Sequence, residues 1–341
     1  MLYDALLYKK QENKQVQCLL CAHQCKINES ERGICRVREN REGRLFTHVY
    51  GNLIARNIDP IEKKPLYHFY PGSRSYSIAT PGCNFRCEWC QNWQISQLPK
   101  LMALPHGQRL LPDKVVEQAL ASGCHSIAYT YTEPTVFFEY SFDTAKLAKA
   151  KGLSNIFVTN GFMSTEMLEM IHPYLDAANV DIKAFRDESY RKYMGGRLKP
   201  VLESCRKMKS LGIWLEITTL IVPGINDDPK ELEEIARFIC LDLGPETPWH
   251  VSRFYPQYKF TGTAATEENI LFKTRAMAEK IGLNYTYIGN ILGSENTKCK
   301  TCGNELIHRN AFLIQIRGLD RAGRCKKCGT SLDGKGIGRG I

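Results

Sequence analysis

The sequence predicts an α/β fold, a full or partial (β/α) barrel with a small cysteine-rich segment before it and a four-cysteine segment after it. Two patterns predict this. From about residue 75, short apolar runs alternate about six times with longer stretches whose apolar residues recur three and four apart. That is the pattern of a parallel sheet covered by helices. On either side the cysteines collect, at Cys18, Cys21, Cys25 and Cys35 and at Cys299, Cys302, Cys325 and Cys328. The chain, 341 residues long, suffices for one large domain with small additions. The divisions fall at 1–70, 71–290 and 291–341.

Taken in order, residues 1–70 open with the cysteine array and continue as short strands, Leu45–Val49 and Leu53–Ile58, separated by the turn signal Gly51-Asn52. Asp59-Pro60-Ile61-Glu62-Lys63-Lys64-Pro65-Leu66 reads as a polar, proline-bounded connection. Strands follow at Tyr76–Ala79, Ser126–Tyr131, Asn155–Thr159, Ala178–Ile182, Trp214–Leu220, His250–Phe254 and Tyr285–Tyr287. Helices are expected near 113–122, 137–150, 165–173, 188–210, 229–240 and 267–281. Repeat number and length suit a barrel better than a short open sheet. Residues 291–341 break the alternation and end in a glycine-rich tail, expected to be mobile.

Apolar residues make up 43% of the chain and charged residues 24%, the profile of an ordinary globular protein. No run approaches the roughly 20 apolar residues of a membrane span, and Met1 to Gln17 lack the apolar core of a signal peptide. The expected location is the cytoplasm, with no membrane contact. The net charge of +10 leaves nucleic acid open as a partner, although scattered basic residues fit a solvated surface as well. Of 14 cysteines, eleven fall into three tight groups. Clustered thiols without a secretion signal read as metal ligands, not disulfides. Cys124, Cys205 and Cys240 stand alone and read as small buried hydrophobes.

The central group, Pro81-Gly82-Cys83-Asn84-Phe85-Arg86-Cys87-Glu88-Trp89-Cys90, directly follows the first barrel strand. Three thiolates in eight residues can wrap one iron–sulfur cube, each taking one iron. With no nearby fourth cysteine, one iron keeps open coordination sites, the logic of a catalytic metal. A loop at the C-terminal end of a barrel strand is also where active sites of such folds lie.

This triplet resembles the signature of the radical S-adenosylmethionine (SAM) superfamily. The resemblance implies a radical SAM barrel and a 4Fe-4S cluster whose open iron is chelated by the amino and carboxylate groups of SAM. An external electron donor of flavodoxin or ferredoxin type reduces the cluster. One electron then cleaves the sulfonium, and the 5′-deoxyadenosyl radical abstracts hydrogen from a substrate. Trp89 is expected against the adenine. Thr132-Glu133-Pro134 looks like a variant of the motif that holds the SAM amino group, in which Glu133 can pair with the ammonium. Asn160, in Thr159-Asn160-Gly161, and Asp181 and Lys183, in Asp181-Ile182-Lys183, resemble SAM-lining residues of glycyl-radical activating enzymes such as the pyruvate formate-lyase activator. Strand alternation puts Asp181 and Lys183 on one side and Ile182 on the other.

Among the outer cysteines, Cys18, Cys21, Cys25 and Cys35 could hold zinc or an auxiliary iron–sulfur cluster, with structural zinc slightly favoured. Cys299-x2-Cys302-Gly and Cys325-x2-Cys328-Gly are paired knuckles at zinc-ribbon spacing. Together with Asp59–Leu66, Gln91-Asn92-Trp93 and the central motifs, they resemble the AmmeMemoRadiSam-system radical SAM enzymes along nearly the whole chain. That resemblance implies Memo-like and AMMECR-type proteins as partners and leaves the substrate undetermined. Two alternatives stand beside it: a glycyl-radical activating enzyme, and an iron–sulfur and zinc scaffold or electron carrier without turnover.

Overall fold

The computed structural model describes residues 2–97 and 106–338. Its centre is one eight-stranded sheet: β1 (Ala55–Pro60), β2 (Arg74–Ala79), β3 (Ser126–Tyr129), β4 (Ser154–Thr159), β5 (Ala177–Asp181), β6 (Trp214–Ile221), β7 (Trp249–Arg253) and β8 (Thr286–Gly289). Spatial order follows chain order from β1 to β8. β1 runs antiparallel to β2, and every other neighbouring pair is parallel. Sequential parallel order is barrel topology. Among the described residues β8 pairs with β7 alone, so the barrel is partial. Among the described residues six helices of seven residues or more connect the strands: α1 (Pro112–Ala121), α2 (Phe138–Ala150), α3 (Thr165–Ile171), α4 (Leu198–Ser210), α5 (Pro229–Phe238) and α6 (Glu268–Ile281). No helix of the described residues is long and apolar enough to cross a membrane.

Apart from the largely exposed edge strand β1, the strands are mostly buried, as Ser126–Tyr129 shows by being buried throughout. Their polar residues therefore need internal partners. Glu216 of β6 accepts hydrogen bonds from the backbone N–H groups of Tyr67 (3.0 Å) and His68 (2.8 Å) and from Trp214 Nε1 (3.1 Å). Asn179 Nδ2 of β5 donates to the Pro65 carbonyl at 2.8 Å. These bonds hold the segment between β1 and β2 against the sheet.

The structure corrects several expectations. The stretch 188–210 is not one helix: a wide turn at Tyr190–Met194 ends at Gly195, whose φ of +73° is left-handed, and α4 begins only at Leu198. The two N-terminal strands are found at Arg44–Thr47 and, as β1, at Ala55–Pro60, in different sheets. The former pairs with Arg38–Arg41 and Tyr3–Asp4, the latter with β2. Asp59–Leu66 is not a solvated connection, since Asp59, Glu62 and Lys64 are buried. Nor is the glycine-rich tail loose as far as it is described. Tyr70 N–H donates to the Lys335 carbonyl, Lys335 Nζ reaches the Asp176 and Gly212 carbonyls, and a Cβ on Gly336 would lie 2.3 Å from the Tyr70 ring. Cys124 and Cys205 are buried as expected, whereas Cys240 is only half-buried.

His68 clamps this tail to the sheet. Its Nδ1 donates to the Asp333 carbonyl (2.7 Å), which leaves Nε2 to accept from Tyr287 O–H (2.7 Å), so the neutral ring is fully paired. Burial pushes its pKa from 6.5 down to about 4. Between those values the unfolded chain binds a proton that the folded chain does not. The contribution is complete above pH 6.5 and is lost as pH falls toward 4, amounting to on the order of 3 kcal/mol. Urea unfolding across this window is expected to show a steeper loss of stability on acidification for the wild type than for His68→Asn; equal slopes would contradict the assignment.

Candidate functional site

The C-terminal ends of β2 to β8 surround a cavity of about 620 Å³. Cys83, Cys87, Trp89, Cys90, Thr132, Glu133, Asn160, Asp181 and Lys183 all line it. The topology thus brings together every central residue singled out in the sequence.

The cysteine loop is held from several sides. Gly82 has φ +105°, and a Cβ there would come within 2.6 Å of Val37 Cγ1, so the loop needs glycine for both conformation and contact. Arg86 N–H donates to the Met194 carbonyl at 2.8 Å. A Cβ on Gly196 would strike the buried Phe85 ring at 2.3 Å. Phe85 N–H points at Cys83 Sγ (3.4 Å), and Cys90 Sγ lies 3.2 Å from Ser96 Oγ. The sulfurs of Cys83, Cys87 and Cys90 are not all within 4.8 Å of one another, so they are not gathered as for one shared ion.

Glu133 sits at the end of β3 and is 1% exposed. Its Oε1 accepts from Thr135 N–H (3.1 Å), Thr135 Oγ1 (2.7 Å) and Thr159 Oγ1 (2.7 Å), and its Oε2 from Asn160 N–H (2.8 Å). Burial nevertheless keeps its pKa above the ordinary carboxylate value, against those donors. Asn160 Nδ2 in turn donates to Asn84 Oδ1 (2.8 Å) and lies 3.8 Å from Cys83 Sγ. The carboxylate therefore ties β3 to β4, and Asn160 carries that tie to the cysteine loop. Oε2, with a single donor, is the oxygen with room for another.

Lys183 Nζ pairs with Asp181 Oδ2 at 2.7 Å, while Ile182 is buried on the other side, as strand alternation requires. Burial works against the ammonium, but Asp181 and then Cys87 outweigh it and push the Lys183 pKa up. Thr132 Oγ1 donates to the Thr80 carbonyl (2.8 Å). Buried Trp89 meets Phe260 and Tyr193 with centroids at 5.7 and 6.1 Å and is among the residues lining the cavity.

Sequence reasoning missed one wall. Lys64 lines the cavity, is 1% exposed, and bonds Asp59 Oδ2 at 2.6 Å. Burial pushes its pKa down to about 8 against that pairing. Tyr131 O–H donates to the same carboxylate, and Lys64 Nζ lies 4.7 Å from the Tyr131 ring centre. Tyr131 adopts φ +64°, a left-handed conformation unusual for a bulky residue. The run of charges in Asp59–Lys64 hid this wall, because charged runs ordinarily face solvent. Phe312, at the tip of the hairpin formed by Glu305–Asn310 and Leu313–Ile316, also reaches the cavity.

The outer cysteines differ in spacing. Cys299, Cys302, Cys325 and Cys328 have all four sulfurs within 4.8 Å, with Cys299–Cys328 at 3.5 Å and Cys302–Cys325 at 3.7 Å. The knuckle glycines Gly303 and Gly329 have φ +68° and +78°, and their N–H groups return to the Cys299 and Cys325 carbonyls. Cys18, Cys21, Cys25 and Cys35 ring a second, smaller cavity.

Such a partial barrel, with three cysteines on the first crossover loop and polar residues on the following strand ends, defines a cluster-dependent enzyme class. Residues 77–239 match the family model described as the radical SAM superfamily. An uncharacterized protein of Methanocaldococcus jannaschii is 45% identical over 333 residues, covering 97% of this chain and 98% of its own. A pyruvate formate-lyase-activating enzyme of Staphylococcus epidermidis is 25% identical over 179 residues, 50% of this chain and 70% of its own. Among solved structures, a radical SAM methyltransferase from Sphaerobacter thermophilus aligns with a TM-score of 0.50 at 14% identity, covering 64% of this chain and 67% of that one, a likeness of fold alone. The chain belongs to the radical SAM superfamily. Its members are enzymes that use a 4Fe-4S cluster, SAM and an external reductant, which sets aside the scaffold without turnover.

Glu133→Gln keeps the shape but turns an acceptor of four bonds into a group with its own donors, leaving buried N–H or O–H groups unpaired. A loss of about 1–3 kcal/mol is expected in urea unfolding, with a lower yield of reconstituted iron; unchanged stability would show that the tie between β3 and β4 is dispensable.

Proposed function

We propose that this chain is a radical SAM enzyme whose cluster is held by Cys83, Cys87 and Cys90 and which abstracts hydrogen from a substrate not yet identified. The observation that carries the reading is the convergence of those cysteines with Glu133, Asn160, Asp181 and Lys183 on one cavity. When bound, the cluster and SAM supply one-electron cleavage of a sulfonium and hence a 5′-deoxyadenosyl radical. The chain's own residues bind and orient. Lys183 offers a cation for a carboxylate, Glu133 Oε2 an acceptor for an ammonium, and Asp181 a further acceptor. Thr132 and Asn160 fix the loops between them, and Trp89 offers an apolar ring for an adenine. Lys64 and Phe312 border the same space and shape what else enters.

In this reading residues 1–70 and 291–341 are metal-bearing segments around a catalytic 71–290. Zinc at Cys299, Cys302, Cys325 and Cys328 is supported by their spacing, since a tetrahedral ion with bonds of about 2.3 Å holds its sulfurs roughly 3.8 Å apart. A flavodoxin- or ferredoxin-type donor, and Memo-like and AMMECR-type partners, are supported by the sequence resemblance, and a reducing cytoplasm by the clustered thiols. The relative named as a pyruvate formate-lyase-activating enzyme favours a second reading, in which the substrate is a backbone glycine of a partner enzyme.

Reduced, anaerobically reconstituted protein is expected to convert SAM to 5′-deoxyadenosine and methionine, and Cys87→Ala to abolish this; product from Cys87→Ala at the wild-type rate would refute the assignment. Deuterium passing from a labelled glycyl-radical enzyme into 5′-deoxyadenosine would select the second reading. Elemental analysis is expected to find about one zinc per chain, lost in Cys302→Ser/Cys325→Ser; zinc retained by that variant would place it elsewhere.

A further inference from the structure

The chain carries three cysteine groups in two spacings. At the C-terminal knuckles four sulfurs close to the separation of a single tetrahedral ion. At the N-terminal array no three of the sulfurs of Cys18, Cys21, Cys25 and Cys35 lie within 4.8 Å of one another, although all four cysteines line one small cavity. The sulfurs of the central triplet are likewise not all within 4.8 Å of one another. Thiolates that each bind a separate iron of a cube must stand further apart than thiolates on one ion, because the cube's edge separates their attachment points.

Arg38 lines the same cavity at 1% exposure, and its Nη1 lies 3.3 Å from Cys18 Sγ. Its Nη2 reaches the Leu6 carbonyl (2.7 Å) and pairs with buried Glu139. Its Nε, however, is buried with no acceptor among the described residues. A buried guanidinium N–H costs free energy unless something accepts from it. A cube supplies acceptors that zinc lacks, namely bridging sulfides.

The array also abuts the catalytic loop. A Cβ on Gly82, the neighbour of Cys83, would lie 3.4 Å from the Cys35 carbonyl oxygen. Asn84 and Thr135 line the N-terminal cavity, Asn84 bonds Asn160, and His23 Nε2 donates to the Asn84 carbonyl at 2.9 Å.

We propose that Cys18, Cys21, Cys25 and Cys35 hold a second iron–sulfur cluster, fully ligated by protein and packed directly behind the loop of the SAM-binding one. With four cysteine ligands it has no open iron. It is an electron-carrying site, accepting one electron at a time from an external low-potential donor, and Arg38 beside Cys18 raises its potential by hydrogen bonding to sulfur. The comparison with the triplet rests on the function proposed above.

The test uses the full-length chain reconstituted anaerobically with iron and sulfide. Wild type is expected to hold about eight irons, and Cys83→Ala/Cys87→Ala/Cys90→Ala about four, with a reduced-cluster paramagnetic resonance signal that does not respond to SAM. Cys18→Ala/Cys21→Ala is expected to lose that signal and keep the SAM-responsive one; the central variant keeps the array intact, so the test stands even if this one misfolds. Iron absent from the central variant, or zinc at the array by X-ray absorption, would overturn the second cluster. A wild type whose iron is all SAM-responsive sinks this inference and leaves the proposed function standing. A wild type with only the SAM-silent signal does the reverse.

Discussion

A carboxylate buried where the strands end constrains everything around the cavity. Glu133 cannot face solvent, so it must be satisfied by donors, and those donors come from the starts of two loops. Meeting that requirement fixes Asn160, and Asn160 fixes Asn84 and the Cys83 sulfur. The cysteine loop is therefore registered to the sheet through hydrogen bonds, with no covalent link. Glycines at 82 and 196 allow the close approach from the other faces. A site built this way is organised before any cofactor arrives, which reduces the ordering cost of binding.

The sheet was legible because parallel strands are buried on both faces and read as largely apolar runs, as Ser126–Tyr129 and Ser154–Thr159 do at Ile127–Tyr129 and Ile156–Val158. The cysteine loop was legible from its spacing, whereas Glu133 and the Asp181–Lys183 pair were singled out by resemblance to radical SAM enzymes, strand alternation adding only that Asp181 and Lys183 share one side. Lys64 was not. Its burial depends on Asp59 in the same segment and on Tyr131 from beyond the next strand, a pairing that no local pattern encodes. The docked tail was missed for the same reason. Glycine-rich sequence suggests mobility, yet Gly336 is where the backbone must pass against Tyr70. The single helix expected over 188–210 failed at Gly195, a residue in the left-handed region.

The terminal segments take part in the central one. Val37 and Cys35 press on the central cysteine loop, and Arg38 and Glu139 form a buried ion pair between the N-terminal segment and α2. From the other end, the hairpin carrying Phe312 reaches the cavity wall, and residues 333–336 dock on the segment that holds Lys64. Metals held at the two ends, as proposed, would influence the cavity through packing, since close-packed interiors transmit small displacements.

The proposed function requires one iron of the central cube to have no protein ligand. Electron–nuclear double resonance on the reduced protein with isotopically labelled SAM tests this most directly. Strong hyperfine coupling to the labelled amino nitrogen and carboxylate oxygen is the expected result. A reduced central cluster with no such coupling, or with a fourth protein side chain on that iron, would contradict it.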